Sequence, residues 1–168
     1  LIESLMSVYR SESELSRLNR DGELHNPHPY FVTVLRAAAD FSEQSGSAFD
    51  ITVQPLWKLH RMAAAQGRLP TPQQLQDARA TIGHHNVEID KGRIWLRNGA
   101  QVTLNGIAQG FATDCAKRVL LEQGIQNALI DIGELAGFGE KGGGQSWTAG
   151  IQHPRVTDAF TAVAQVEN

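Results

Sequence analysis

Apolar residues recur at helical spacing through the first half of this 168-residue chain, and alternate along short runs through most of the second. That switch of period limits the folds open to it, because a helical stripe and an alternating strand bury their apolar faces in different ways. Leu1, Leu5 and Val8 suit a short opening helix. Ser11 to Glu14 then reads as a capping box before a short helix through Leu15 and Leu18, ending near Asn19. Phe31, Val34, Leu35, Ala38 and Phe41 line one face of a longer helix, with Gly46 just past its end. Another helix is expected after Pro55, through Leu56, Leu59 and Met62 to Gly67. Thr71-Pro72 starts the next, with Leu75, Ala78 and Ile82 on one face and Gly83 as the stop. Strand patterns are Ala48–Val53 (or an extended run), a hairpin of Val87–Ile89 with Arg93–Arg97, and Val102–Leu104. After a helix from Ile107 to about Gln123, with Ile107, Phe111, Cys115 and Val119 on one side, they continue as Asn127–Ile132, Trp147–Ile151 and Phe160–Val166. The order is not a βαβ alternation, so the expected class is α+β, a mainly antiparallel sheet with packed helices. No repeat or linker divides the chain, so residues 1–168 are expected to form one domain. A last strand running to Asn168 without a terminating element would be an exposed edge, which suggests a larger sheet, incomplete at the C-terminus.

Composition removes several function classes. With 15 Lys and Arg against 18 Asp and Glu, the net charge is -3 and no basic face is implied, so nucleic acid is not an expected partner. No run approaches the roughly 20 apolar residues of a membrane span. Leu1 opens directly into an amphipathic pattern, with no basic n-region and no signal peptide. The single cysteine, Cys115, excludes an intrachain disulfide and a cysteine metal cluster.

Three segments carry possible chemistry. Thr103 to Phe111 passes from strand to turn to helix, with Asn105 as a candidate N-cap. Backbone N–H groups at such a start attract anions, and Gly106 and Gly110 permit close approach. A pyrophosphate suits it, and so does an ordinary capped helix packed on a sheet. In the segment Gly46 to Leu56, Asp50 and Thr52 project from one side of an extended run. Asp50 suits a ligand hydroxyl or ring N–H and Phe49 an aromatic ring; equally, Asp50 or Thr52 caps the next helix and Phe49 is core. In the segment Met6 to Ser16, Tyr9 either faces a planar ligand or packs as a core tyrosine. His84-His85, adjacent and divergent in an extended chain, reads as a solvated turn, His60 as structural, and Cys115 as packing.

The order and spacing of these segments resemble one family. Met-Ser-x-Tyr-x-x-x-Ser-Glu-Leu-Ser-Arg-Leu-Asn runs from Met6 to Asn19, and Gly-x-Ala-Phe-Asp-Ile-Thr-Val-x-Pro-Leu from Gly46 to Leu56. Leu-x-Gly-Ile-Ala-x-Gly-Phe-Ala-x-Asp runs from Leu104 to Asp114; Ala-Leu-Ile-Asp-Ile-Gly and Trp147 to Pro154 follow. Together they are similar to the FAD:protein FMN transferases, the ApbE family, and to its branch with Asn-Gly-Ile-Ala-Gln-Gly. The resemblance implies an ApbE or T-fold-like architecture and a reaction. FAD binds with Mg2+, FMN passes to a Thr or Ser hydroxyl of an acceptor flavoprotein, and AMP leaves. It places Tyr9, Ala48, Phe49, Asp50, Thr103, Asn105 and Gln109 at FAD and Gly106, through its carbonyl, at the metal. Thr103 stands where many members have Asp, and Gln109 where many have Lys. The family's C-terminal catalytic segment is absent from this chain, so no catalytic residue is assigned and the fragment alone is expected to be inactive. The rival readings are an FAD-binding or FAD-delivery module, an FAD pyrophosphatase, and a partner-docking domain. A periplasmic or exported location follows from resemblance, with membranes met only through an anchor or a membrane-bound acceptor.

Overall fold

The structure is a computed structural model that describes residues 1–166. The chain forms two compact units, Leu1–Ala108 and a second from Gln109 onward.

The first unit wraps helices around a small sheet. Its elements are α1 (Ile2–Met6), α2 (Glu14–Asp21), β1 (Glu23–His25), α3 (Pro29–Gln44), α4 (Gln54–Ala65), α5 (Pro72–Ala80), a 3-10 turn (His84–Asn86), β2 (Val87–Asp90) and β3 (Arg93–Leu96). The strands lie in the order β1-β3-β2, all antiparallel. Ile94 stands opposite both Leu24 and Ile89, and it is fully buried with Leu15, Leu18, Phe31, Leu35, Val102 and Leu104. The core therefore joins the inner faces of α2 and α3 to the sheet and to the chain after β3. Thr71 caps α5 with Pro72 in its first turn, and Gln74 closes a reciprocal capping box.

Several local expectations are corrected. α2 is capped by Ser13, whose hydroxyl accepts from Ser16 N–H, rather than by Ser11. Ser13 wins because a turn closed by its N–H on the Arg10 carbonyl delivers it extended, at ψ 154°. Glu14 turns away and accepts from His28 N–H at 3.0 Å. β1 was not expected; its partner β3 lies some seventy residues along the chain, as Glu23 opposite Trp95 shows. Phe41 and Met62 are each 54% exposed rather than core. Val102–Leu104 is not a strand. Asn19 pairs with Val102 in the manner of a neighbouring strand: its Nδ2 donates to the Val102 carbonyl at 2.8 Å and its Oδ1 accepts Val102 N–H at 2.7 Å.

Two ion pairs hold the exposed side of the three-stranded sheet. Arg93 pairs with Glu23, and Arg97 grips Glu88 through two bonds of 2.9 Å. Hydrogen bonds from Arg93 and Arg97 hold the carboxyls of Glu23 and Glu88 below the usual carboxylate range. A carboxylate with a depressed folded value stabilises the fold above its unfolded pKa and loses that contribution as pH falls through the folded value. Melting temperature should therefore fall as the medium is acidified below about pH 4.5. Glu88→Gln should flatten part of that fall; an unchanged acid profile would remove the pair from the account.

The second unit holds α6 (Ala108–Glu122), which begins at the junction, then β4 (Ala128–Asp131), β5 (Leu135–Phe138), β6 (Trp147–Gln152) and β7 (Phe160–Val166). β4 pairs with β5, and β6 with β7, both antiparallel. β5 was not anticipated, because Leu135–Phe138 follows the Gly133-Glu134 turn so closely. Gly137 is required there: a Cβ at that position would lie 2.9 Å from Val166 and 3.3 Å from Trp147. Trp147 also donates its indole N–H to the Phe138 carbonyl at 3.2 Å. Val119, expected on a buried face, is 52% exposed. The class is the α+β one expected, but the strands form three short antiparallel ladders among the described residues. The end at Asn168 lies outside those residues. No described helix is long and apolar enough to cross a membrane.

Candidate functional site

The segment between α3 and α4 is a pinned turn rather than the expected strand. Ser45 Oγ accepts Phe49 N–H at 3.0 Å, and Ser47 sits at φ 67°. Asp50 Oδ1 accepts twice from Thr52, from the amide at 2.7 Å and from the hydroxyl at 2.6 Å. The same hydroxyl oxygen accepts Gly83 N–H at 2.7 Å. Thr52, fully buried, thus ties the Asp50 loop to the end of the α5 segment. Aspartate commonly binds the amide two residues on, and here that habit uses one carboxylate oxygen and fixes the other. Asp50 Oδ2 is left facing His84, whose Nδ1 is 4.0 Å away and lies 3.4 Å from Ser47 Oγ. His84, expected in a solvated turn, is a neighbour of the candidate carboxylate.

The second motif lies beside this loop. Thr103 N–H donates to the Ile51 carbonyl at 2.8 Å, and Val53 bridges Gln101 in parallel. The Phe49 ring edge covers Gly106 so closely that a Cβ there would lie 3.3 Å from it. Phe41 meets Phe49 edge to face, with centroids 6.2 Å apart. Phe49, Asp50, Thr103 and Gly106 are therefore brought together, with exposed Ala48 beside them. Asn105 does not cap α6. Its side chain is exposed, its N–H turns to Thr103 Oγ1 at 3.4 Å, and the Leu104 carbonyl takes the N–H groups of Ile107 and Ala108. That turn satisfies most of the amides expected to attract an anion.

Tyr9 and Gln109 are placed elsewhere. Tyr9 opens onto a cleft of about 530 Å³ lined from α2 and α4, which none of the residues 48–50 or 103–106 lines. That cleft contains residues the sequence reading passed over, chiefly Trp57, Arg61 and Gln101. Trp57 and Arg61, four apart on a helix, were a legible pair: Arg61 lies over the Trp57 ring at 5.0 Å. Gln109 belongs to the second unit, where its amide nitrogen lies 2.7 Å from where a Gly133 Cβ would be.

Asp50 offers a hydrogen-bond acceptor of fixed position, and Phe49 offers an aromatic ring packed over Gly106. The described residues do not fit a complete magnesium site. Mg2+ wants near-octahedral oxygen ligands, usually one or two carboxylates with water and phosphate. No group of three or more potential metal-ligating His, Cys, Asp or Glu side chains occurs among the described residues, and Gly106 can offer only its carbonyl.

Comparison with known proteins places these features in a family. The description of the ApbE family matches residues 1–168. The chain is 29% identical to the FAD:protein FMN transferase of Haemophilus influenzae, covering 99% of this chain and 52% of that protein. It is 31% identical to that of Salmonella typhimurium, covering 96% and 49%. Among solved structures, the apo flavinyl transferase ApbE of Pseudomonas stutzeri superposes with a TM-score of 0.84 at 30% identity, covering 99% of this chain and 53% of that one. The flavin transferase ApbE of Vibrio cholerae gives 0.86 at 28% identity, covering 99% and 56%. The chain spans about half the length of the curated relatives it matches.

Proposed function

The chain belongs to the ApbE family, and from that premise we propose that the full-length protein is an FAD:protein FMN transferase. In this reading residues 1–168 are the N-terminal and central part of a longer transferase domain. FAD is the donor and a flavoprotein with a Thr or Ser site is the acceptor. The acceptor hydroxyl oxygen attacks the phosphorus of the FMN half. The bond from that phosphorus to the bridging oxygen breaks, AMP leaves with that oxygen, and the hydroxyl proton is lost to a base. Such transfer depends on positioning and charge neutralisation more than on covalent help from the protein. The observation that carries the reading is the Asp50 carboxylate, held at one oxygen by Thr52 and facing His84 with the other, beside Phe49 and Gly106. Asp50 would accept from an FAD hydroxyl or ring N–H, Phe49 and Ala48 would line the pocket, and the Gly106 carbonyl is what this segment would offer to Mg2+. The metal, which would neutralise phosphate charge when bound, rests on the family resemblance, as does a periplasmic site of action.

One observation favours a second reading, an FAD-binding module without transfer. Thr103 stands in place of the family's acidic group, and its hydroxyl is engaged locally by Asn105 N–H. Asp50→Ala tests what both readings share. In the full-length protein it should weaken FAD binding, followed by flavin fluorescence, by about tenfold or more, the value of a lost hydrogen bond to a charged group. Unchanged affinity would remove Asp50 from the site.

A further inference from the structure

We propose that His84 is a positioning residue of the FAD site, acting through Asp50; the inference rests on the reading that Asp50 binds FAD. Asp50 Oδ1 is taken by the two bonds from Thr52, which leaves Oδ2 as the oxygen for a ligand. His84 is what faces that oxygen: its Nδ1 lies 4.0 Å away. The separation is too long for a direct hydrogen bond, so the imidazole acts on the carboxylate by charge and dipole. A neighbouring carboxylate favours the proton on Nδ1, and a ring so protonated turns an N–H toward Oδ2. One side of the oxygen is then engaged, and its other lone-pair direction is left for a hydroxyl or ring N–H of the nucleotide.

The imidazole is held in place from several sides. Gly83, the residue before it, donates its N–H at 2.7 Å to the Thr52 hydroxyl, the same hydroxyl that donates to Asp50 at 2.6 Å. One fully buried side chain therefore sets both partners. Opposite, Ser47 Oγ lies 3.4 Å from Nδ1, placed to accept part of the same N–H. His85 does not compete for Asp50. Its ring packs over Gly83, where a Cβ would stand, at 77° to the His84 ring with centroids 5.9 Å apart. The Asp50 side chain is 7% exposed and that of His84 24%. Water therefore screens their interaction less than it screens an exposed pair such as Arg97 with Glu88.

Two substitutions in the full-length protein separate this role from packing. His84→Phe keeps a ring and removes the N–H; His84→Asn loses the ring and keeps an N–H donor near the position of Nδ1. With FAD binding followed by flavin fluorescence, His84→Phe should weaken FAD about fivefold, and His84→Asn should stay within about twofold of the wild type. A packing role predicts the reverse order. In an Asp50→Ala background His84→Phe should lose nothing further, because the residue it acts through is gone. In the transfer reaction His84→Phe should raise KM for FAD and leave KM for the acceptor unchanged, whereas a partly unfolded protein would lower kcat. His84→Ala, with neither ring nor N–H, should match His84→Phe in FAD affinity, and it carries the test if thermal melts show the phenylalanine variant unfolded. Wild-type FAD affinity in the variants without an N–H overturns the proposal. So does an asparagine variant as weak as they are, or a further loss in the Asp50→Ala background. Undiminished FAD affinity in Asp50→Ala itself sinks the underlying reading too. If Asp50→Ala weakens FAD and the His84 variants do not, the role of His84 alone falls.

Discussion

Thr52→Val is expected to cost about 3 kcal/mol of stability and to weaken FAD binding in the full-length protein. Valine has nearly the same shape, so no cavity opens and the effect isolates the hydroxyl. Two bonds go with it, the 2.7 Å acceptance from Gly83 N–H and the 2.6 Å donation to Asp50 Oδ1. The first loss leaves a part-buried amide without a partner, which costs about 1–3 kcal/mol. The second removes a bond to a carboxylate, typically worth about 1.5–3 kcal/mol, although the Thr52 amide still holds the same oxygen. Urea unfolding of the wild type, Thr52→Val and Thr52→Ser checks it. Serine keeps both bonds and should fall between the two, losing only what the buried methyl supplies. A valine variant as stable as the wild type would mean that the hydroxyl does not hold the loop.

The second large effect concerns Asn19. Its carboxamide satisfies both the N–H and the carbonyl of Val102, a residue with no exposed surface. Asn19→Ala leaves both groups unpaired, and about 2–4 kcal/mol should be lost. Asn19→Asp is the sharper probe. Its carboxylate still accepts Val102 N–H, but its second oxygen faces the Val102 carbonyl instead of donating to it. Protonation restores the donor, so the folded pKa of the new carboxyl should be raised. The variant should then recover stability relative to the wild type as pH falls through that raised value. Denaturation midpoints at acid and neutral pH decide the matter; an aspartate variant with the same relative stability at both would contradict the strand-like pairing.

Local chemistry explains what could be read in advance. Thr71-Pro72 with Gln74 states a helix start within four residues, and the structure uses all three. The hairpin of Val87–Asp90 with Arg93–Leu96 and the strands Trp147–Gln152 and Phe160–Val166 follow from alternation and turn residues. What escaped depends on distant partners. Glu23–His25 is three residues long and becomes a strand only because β3 is there to pair with it. Val102–Leu104 has the composition of a strand, yet its neighbour is one side chain from α2. Ser11 and Ser13 are both good caps, and the choice between them turned on one backbone bond, from Ser13 N–H to the Arg10 carbonyl. The site shows the same division. Asp50, Phe49 and Gly106 were legible as motif residues. The Thr52 hydroxyl that fixes Asp50, and the placing of Tyr9 with Trp57 and Arg61, are tertiary facts with no local signature.

The most direct measurement of the central claim is covalent transfer. The full-length protein is mixed with FAD, magnesium and a flavoprotein acceptor carrying a threonine site, and the products are run on a denaturing gel under blue light. The account predicts a fluorescent acceptor band that is absent without the protein and much fainter with Asp50→Ala. A dark acceptor band, with FAD still bound to the protein, would contradict transfer and leave a flavin-binding module.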